Sequence, residues 1–194
     1  MHSISLYVKL GIDHITDFAG FDHILFLIAL CAVYKIEQWR SLLVLVTAFT
    51  VGHSVTLALA SLSIVVVASD VIEFLIPVTI LVTAINNVFA HSDSAKALVI
   101  GRDYVMALVF GFIHGMGFSN YFRALLMDDS SIFAPLLGFN LGIEIAQLSF
   151  VIVIVGLVYL LTNLAGIRHR DWSVFISGAA AGISVLLMVE NRFW

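Results

Sequence analysis

Charge is scarce in this chain, and that scarcity sets its class. Charged residues make up 11% of the 194 positions and hydrophobic residues 61%, whereas an ordinary soluble domain carries about 25% charged residues. Mean hydropathy is +1.09. Too little polar surface exists to face water, so the chain reads as an integral membrane protein. The 9 lysines and arginines are scattered, which excludes the basic patch of a nucleic-acid binder. The lone cysteine, Cys31, sits in an apolar run and has no internal disulfide partner. Only 2 prolines occur, with no low-complexity tract and no polar stretch long enough for a second unit. A single polytopic domain over 1–194 is expected. The start, Met1-His2-Ser3-Ile4-Ser5, lacks the basic region and cleavage site of a signal peptide, so the first span is expected to direct targeting.

Apolar runs and their breaks predict an all-α bundle of about six transmembrane helices with short loops. The spans fall near 18–35, 41–62, 71–91, 102–121, 132–161 and 172–190. Leu6 to Ile15 is only mildly amphipathic and reads as a surface segment. The fifth run exceeds what a crossing needs, which implies tilt or extension beyond the bilayer. An even number of spans puts both termini on one side, with Lys9, Arg123 and Arg192. Lys35, Arg40, Lys96, Arg102, Arg168 and Arg170 share the other. The excess of basic residues there marks it as cytoplasmic and the termini as outside. Trp39, Tyr104, Tyr159 and Trp172 suit the inner interface. The pairs Gly111/Gly115, Gly138/Gly142 and Gly178/Gly182 have the small-xxx-small spacing of close helix packing. They predict a tight bundle and offer faces for a homo-oligomer.

The chain turns on Gly20-Phe21-Asp22-His23, where an aspartate and a histidine open an apolar run. Asp22 alone suits a helix N-terminus. The predicted topology, however, brings His23, His53, Glu73, His114 and Glu144 into the outer half or near the middle of five spans, with His14 just ahead on the same side. Ionisable groups in low dielectric need partners, and a shared divalent cation satisfies several at once. Imidazole and carboxylate donors without thiolate suit zinc, nickel, cobalt or iron better than copper. The metal-ligand candidates are His14, Asp22, His23, His53, His114 and Glu144. Asn140 stands one turn before Glu144 on the polar face of the fifth span. On the third span Thr79, Thr83, Asn86 and Asn87 form a polar stripe toward the cytoplasm, beyond a break at Pro77 whose freed carbonyls can line a cavity. Glu73, Thr83, Asn87 and Asn140 are the pathway or supporting candidates.

Gly20-Phe21-Asp22-His23, His53-Ser54, Phe112-Ile113-His114-Gly115 and Phe139-Asn140-Leu141-Gly142-Ile143-Glu144 together resemble the HupE/UreJ family of small bacterial membrane proteins. The resemblance covers nearly the whole chain, and Thr47 to Leu57 is similar to the Bacteroidetes-type branch. It implies a nickel or cobalt permease of the bacterial inner membrane, with His14, Asp22, His23, His53 and His114 as the matching ligands.

Three functions remain open at this stage. In the first, the protein carries a transition-metal cation (nickel, cobalt or zinc) inward. His14 and Asp22 then receive it, the other histidines replace its water and Glu144 balances charge. No nucleotide-binding motif is present, so such movement follows a gradient. In the second, three histidines hold zinc and Glu144 acts as base in an intramembrane hydrolase. In the third, the polar residues pair only with one another in a structural protein.

Overall fold

The computed structural model describes residues 4–17, 21–89, 99–126 and 132–194. Those residues form helices and no strand: α1 (Ile4–Thr16), α2 (Asp22–Cys31), α3 (Trp39–Ser61, entered through a 3-10 turn at Ile36–Gln38), α4 (Ser69–Phe89), α5 (Val99–Gly117), α6 (Ser119–Leu126), α7 (Phe133–Asn163) and α8 (His169–Glu190). Four of them are long and apolar enough to cross a membrane, namely α3 with its leading turn, α4, α7 and α8. The apolar stretches of α2 and α5 are shorter.

The expected first span is therefore corrected. Positions 18–20 lie outside the described residues, and α2 begins at Asp22 and holds 10 residues, about 15 Å of rise and half a bilayer. The surface placement of Leu6 to Ile15 is also corrected, because α1 is built into the bundle along α7. A side chain at Gly11 would strike the backbone of Phe139 and Ile143, one at Gly142 the backbone of Val8, and one at Gly138 would meet Ile4 and Tyr7. Ile4 thus pairs with the start of α7 and Gly11 with a later turn, so the two helices run in the same direction. Tyr7 is buried against α7 at Gly138, and Ile15 is buried as well. Hydropathy missed it because glycine lets two backbones meet without a strongly apolar stripe.

The fourth span behaves as its glycine spacing predicts. Gly111 abuts the Phe49 backbone on α3, Gly115 abuts His53, and Gly52 of α3 abuts Leu108 in return. The third pair departs from expectation: Gly178 and Gly182 face open space, because α8 turns its serine face inward, with Ser173, Ser177 and Ser184 buried. Gly111→Leu is accordingly expected to destabilise the protein by about 1–3 kcal/mol or to prevent folding. Gly178→Leu should leave melting in detergent within about 0.5 kcal/mol of wild type. Thermal unfolding of the two variants side by side checks this, and equal losses would show that the α3–α5 contact is looser than described.

Pro77 lies inside α4 and cannot donate to the Glu73 carbonyl one turn back. The side chain of Asn191, just past α8, donates to that carbonyl at 3.2 Å. The freed group is thus taken up by α8 and does not line a cavity. At the other end of α4, Arg170 of α8 donates to the carbonyls of Asn87 and Val88, satisfying the last turn of α4 where a cation also suits the helix dipole.

Candidate metal centre

The end of α1 and the start of α2 meet at the heart of the bundle. His14 is in the last turn of α1 and His23 in the first turn of α2, with ring centroids 4.6 Å apart. His53 of α3 lies 5.8 Å from His14 and 6.1 Å from His23. His114 of α5 lies 5.0 Å from His23. Two groups can each converge on one ion, His14–His23–His53 and Asp22–His23–His114, with ligand atoms in each within 4.8 Å of one another. His23 belongs to both.

Hydrogen bonds fix which nitrogens remain available. Asp22 Oδ1 accepts the backbone N–H of His23 at 2.8 Å and faces His23 Nδ1 at 3.0 Å. An ionised carboxylate only accepts, so Nδ1 donates to it, and in the neutral ring Nε2 then keeps its lone pair. Asp22 thus takes up an open backbone N–H in the first turn of α2 and also orients the His23 ring, as carboxylates do behind metal-bound histidines. Thr79 Oγ1 donates its single proton to the Ile76 carbonyl at 2.7 Å and sits 3.2 Å from His114 Nε2. His114 therefore donates through Nε2 and presents a bare Nδ1.

His14 Nε2, His23 Nε2, both nitrogens of His53 and His114 Nδ1 are buried without any hydrogen-bond partner. Each such atom costs about 1–3 kcal/mol when left unsatisfied, and His53 and His114 are 0% and 1% exposed. A core of paired polar groups does not look like this. Each neutral ring has one lone pair, and a divalent cation bound by one lone pair from each histidine offsets most of that penalty, so the donor set fits a transition metal. The walls are aromatic. Phe26 stacks on Phe49 at 4.9 Å, and Phe118 on Phe139 at 4.9 Å. Phe118 also lies 4.0 Å from His14. Low polarity around the cluster strengthens each ion–ligand interaction.

The other sequence candidates stand apart. Glu144 is in neither group; its Oε1 accepts from Thr47 of α3 at 2.7 Å. One turn further along α7, Gln147 accepts from Thr50 at 2.8 Å, so these pairs form a polar seam between α3 and α7. Asn140 donates to the Leu136 carbonyl at 2.8 Å and leaves Oδ1 buried and unpartnered. Glu73 is exposed. Thr83 bonds the Thr79 carbonyl at 2.9 Å and Asn87 the Ala29 carbonyl of α2 at 2.7 Å, both buried. Thr79 reaches the cluster directly; its four-residue spacing to Thr83 was the sequence signal for it. The aromatic walls and the serines of α8 gave no such signal, since each reads as ordinary membrane-helix composition.

The fold and centre define a polytopic helical membrane protein with a buried histidine and carboxylate cluster. The chain matches the family described as HupE / UreJ protein over residues 1–192, and it belongs to that family. No curated protein and no solved structure matches it.

Proposed function

We propose that the protein carries a transition-metal cation, nickel, cobalt or zinc, across the bacterial inner membrane, from an outward-opening histidine and carboxylate site to the cytoplasm. The observation that carries this reading is the set of buried, unpartnered imidazole nitrogens facing one another. The family's association with nickel and cobalt transport supports it. The ion is cargo: His14 and His53 hold it with His23 on one side of the centre, and Asp22 and His114 share His23 on the other.

In this reading α1 and α2 act as one broken crossing, about 20 Å and 15 Å of helix in series, with their facing ends at the ion. Together with α3, α4, α5, α7 and α8 they make about six crossings, the arrangement in which discontinuous helices bind cargo at mid-depth. The charge asymmetry favours termini outside, and on this reading a reporter active only in the cytoplasm, fused after Trp194, is expected to be silent.

The hydrolase reading loses support because Glu144, its base, is bonded to Thr47 and stands outside both groups. The purely structural reading leaves the imidazole nitrogens unexplained. Purified protein is expected to hold about one divalent ion per chain and to move it into proteoliposomes down an imposed gradient. Protein that binds metal but moves none would remove the transport reading. Protein that takes up no nickel, cobalt or zinc on reconstitution would remove the metal site.

A further inference from the structure

An ion that leaves the Asp22–His23–His114 side of the centre toward the cytoplasm meets Thr79, already bonded to His114. Beyond it α4 offers Thr83 and Asn87, each one helical turn further in. A single stripe on one helix is half of a path. The facing surface of α8 supplies oxygens that the sequence did not single out. Ser173 is 3% exposed and Ser177 0%, and neither hydroxyl has a partner. Serine in a membrane helix can ordinarily satisfy itself on the carbonyl one turn back. Ser184 of the same face does so, donating to Ala180 at 2.7 Å. Ser173 and Ser177 instead leave their hydroxyls in the space between helices.

The register of α4 and α8 shows what they stand beside. Arg170 on Asn87 and Val88 ties the inner ends, and Asn191 on Glu73 ties the outer ends. The two helices are therefore antiparallel. Between those ties Ser177 comes to the level of Thr83, and Ser173 to within a turn of Asn87. α2 closes the third side, its Ala29 carbonyl held by Asn87.

We infer that Ser177 and Ser173 of α8, opposite Thr83 and Asn87 of α4, form the inner conduction path for the divalent cation, an oxygen-lined seam between α2, α4 and α8. The inference rests on the transport reading. These four residues offer neutral hydroxyl and amide oxygens and no imidazole or carboxylate. They replace part of the ion's hydration weakly, so the cation moves from tight nitrogen ligands to a surface it can leave. Small side chains also leave room for a partly hydrated ion.

The test is the double variant Ser173→Ala/Ser177→Ala, which keeps both positions small and removes only the hydroxyls. Bound nickel or cobalt should match wild type, while uptake into proteoliposomes falls about tenfold to a hundredfold, as expected for loss of two oxygen contacts to a charged species. Ser149→Ala, an exposed α7 serine bonded to its own helix, should transport normally. Uptake by the double variant at the wild-type rate, with wild type active, would overturn this inference and leave the transport reading standing. Inactive wild type would overturn both. A second measurement needs no flux: in a Cys31→Ala background the Ser177→Cys variant should be modified by a water-borne thiol reagent applied to the inner face. Complete protection there would overturn the seam even if the double variant misfolds.

Discussion

Replacing His23 with alanine is expected to abolish metal binding, with an effect larger than any other single substitution at the centre. His23 is the one residue common to both converging groups, so its loss leaves two ligands on either side. His14→Ala and His114→Ala each leave the opposite group whole and should weaken binding while retaining it. Asp22→Asn keeps the shape and removes the charge that holds the His23 proton on Nδ1. An orienting partner of this kind is worth about 10–100-fold in affinity, and Asp22→Asn should fall in that range. The order His23→Ala, then Asp22→Asn, checked by titration with nickel and cobalt, is the signature of a shared ligand backed by an orienting carboxylate. Equal effects from His23→Ala and His14→Ala would mean that the two groups are not used as described. Binding should also weaken on acidification, because each lone pair that holds the ion also accepts a proton.

Asn87→Leu is expected to block flux while leaving bound metal nearly unchanged. Asn87 is about 12 Å of helix rise beyond Thr79 along α4, and its side chain bonds the Ala29 carbonyl rather than a candidate ligand. The substitution puts an apolar side chain into the seam and removes the bond to the Ala29 carbonyl. That lost bond costs about 1 kcal/mol, a loss offset in part because the Ala29 carbonyl also accepts from Ala32 at 3.3 Å. The protein should therefore remain folded with its centre loaded. Uptake into proteoliposomes, with bound metal counted in wild type and variant, separates the two effects. Normal uptake by Asn87→Leu would place the inner route elsewhere.

Much of the histidine cluster was legible in the sequence. Five of the six proposed ligands, His14, Asp22, His23, His53 and His114, are brought together in the structure, because polar groups at matching depth in apolar helices have few other places to go. Glu144 was grouped with them on depth alone. Depth says nothing about azimuth, and the α7 helix turns Glu144 onto Thr47. Ser173 and Ser177 were invisible for a related reason: serine is common in membrane helices, and only its hydrogen-bond state marks these two.

The sequence by itself determined that this is a helical membrane protein, where most of its apolar runs lie, and that glycines on the fourth and fifth spans carry close packing. These follow from local composition and spacing, which need no knowledge of neighbours. Only the tertiary structure decided that α1 lies along α7 and that the first apolar run yields a half-length helix. It also decided that Gly178 and Gly182 face outward and that His23 is shared by two groups. Each of these depends on which faces meet across elements far apart in the chain, and in a bilayer, where every face is apolar, hydropathy does not distinguish them.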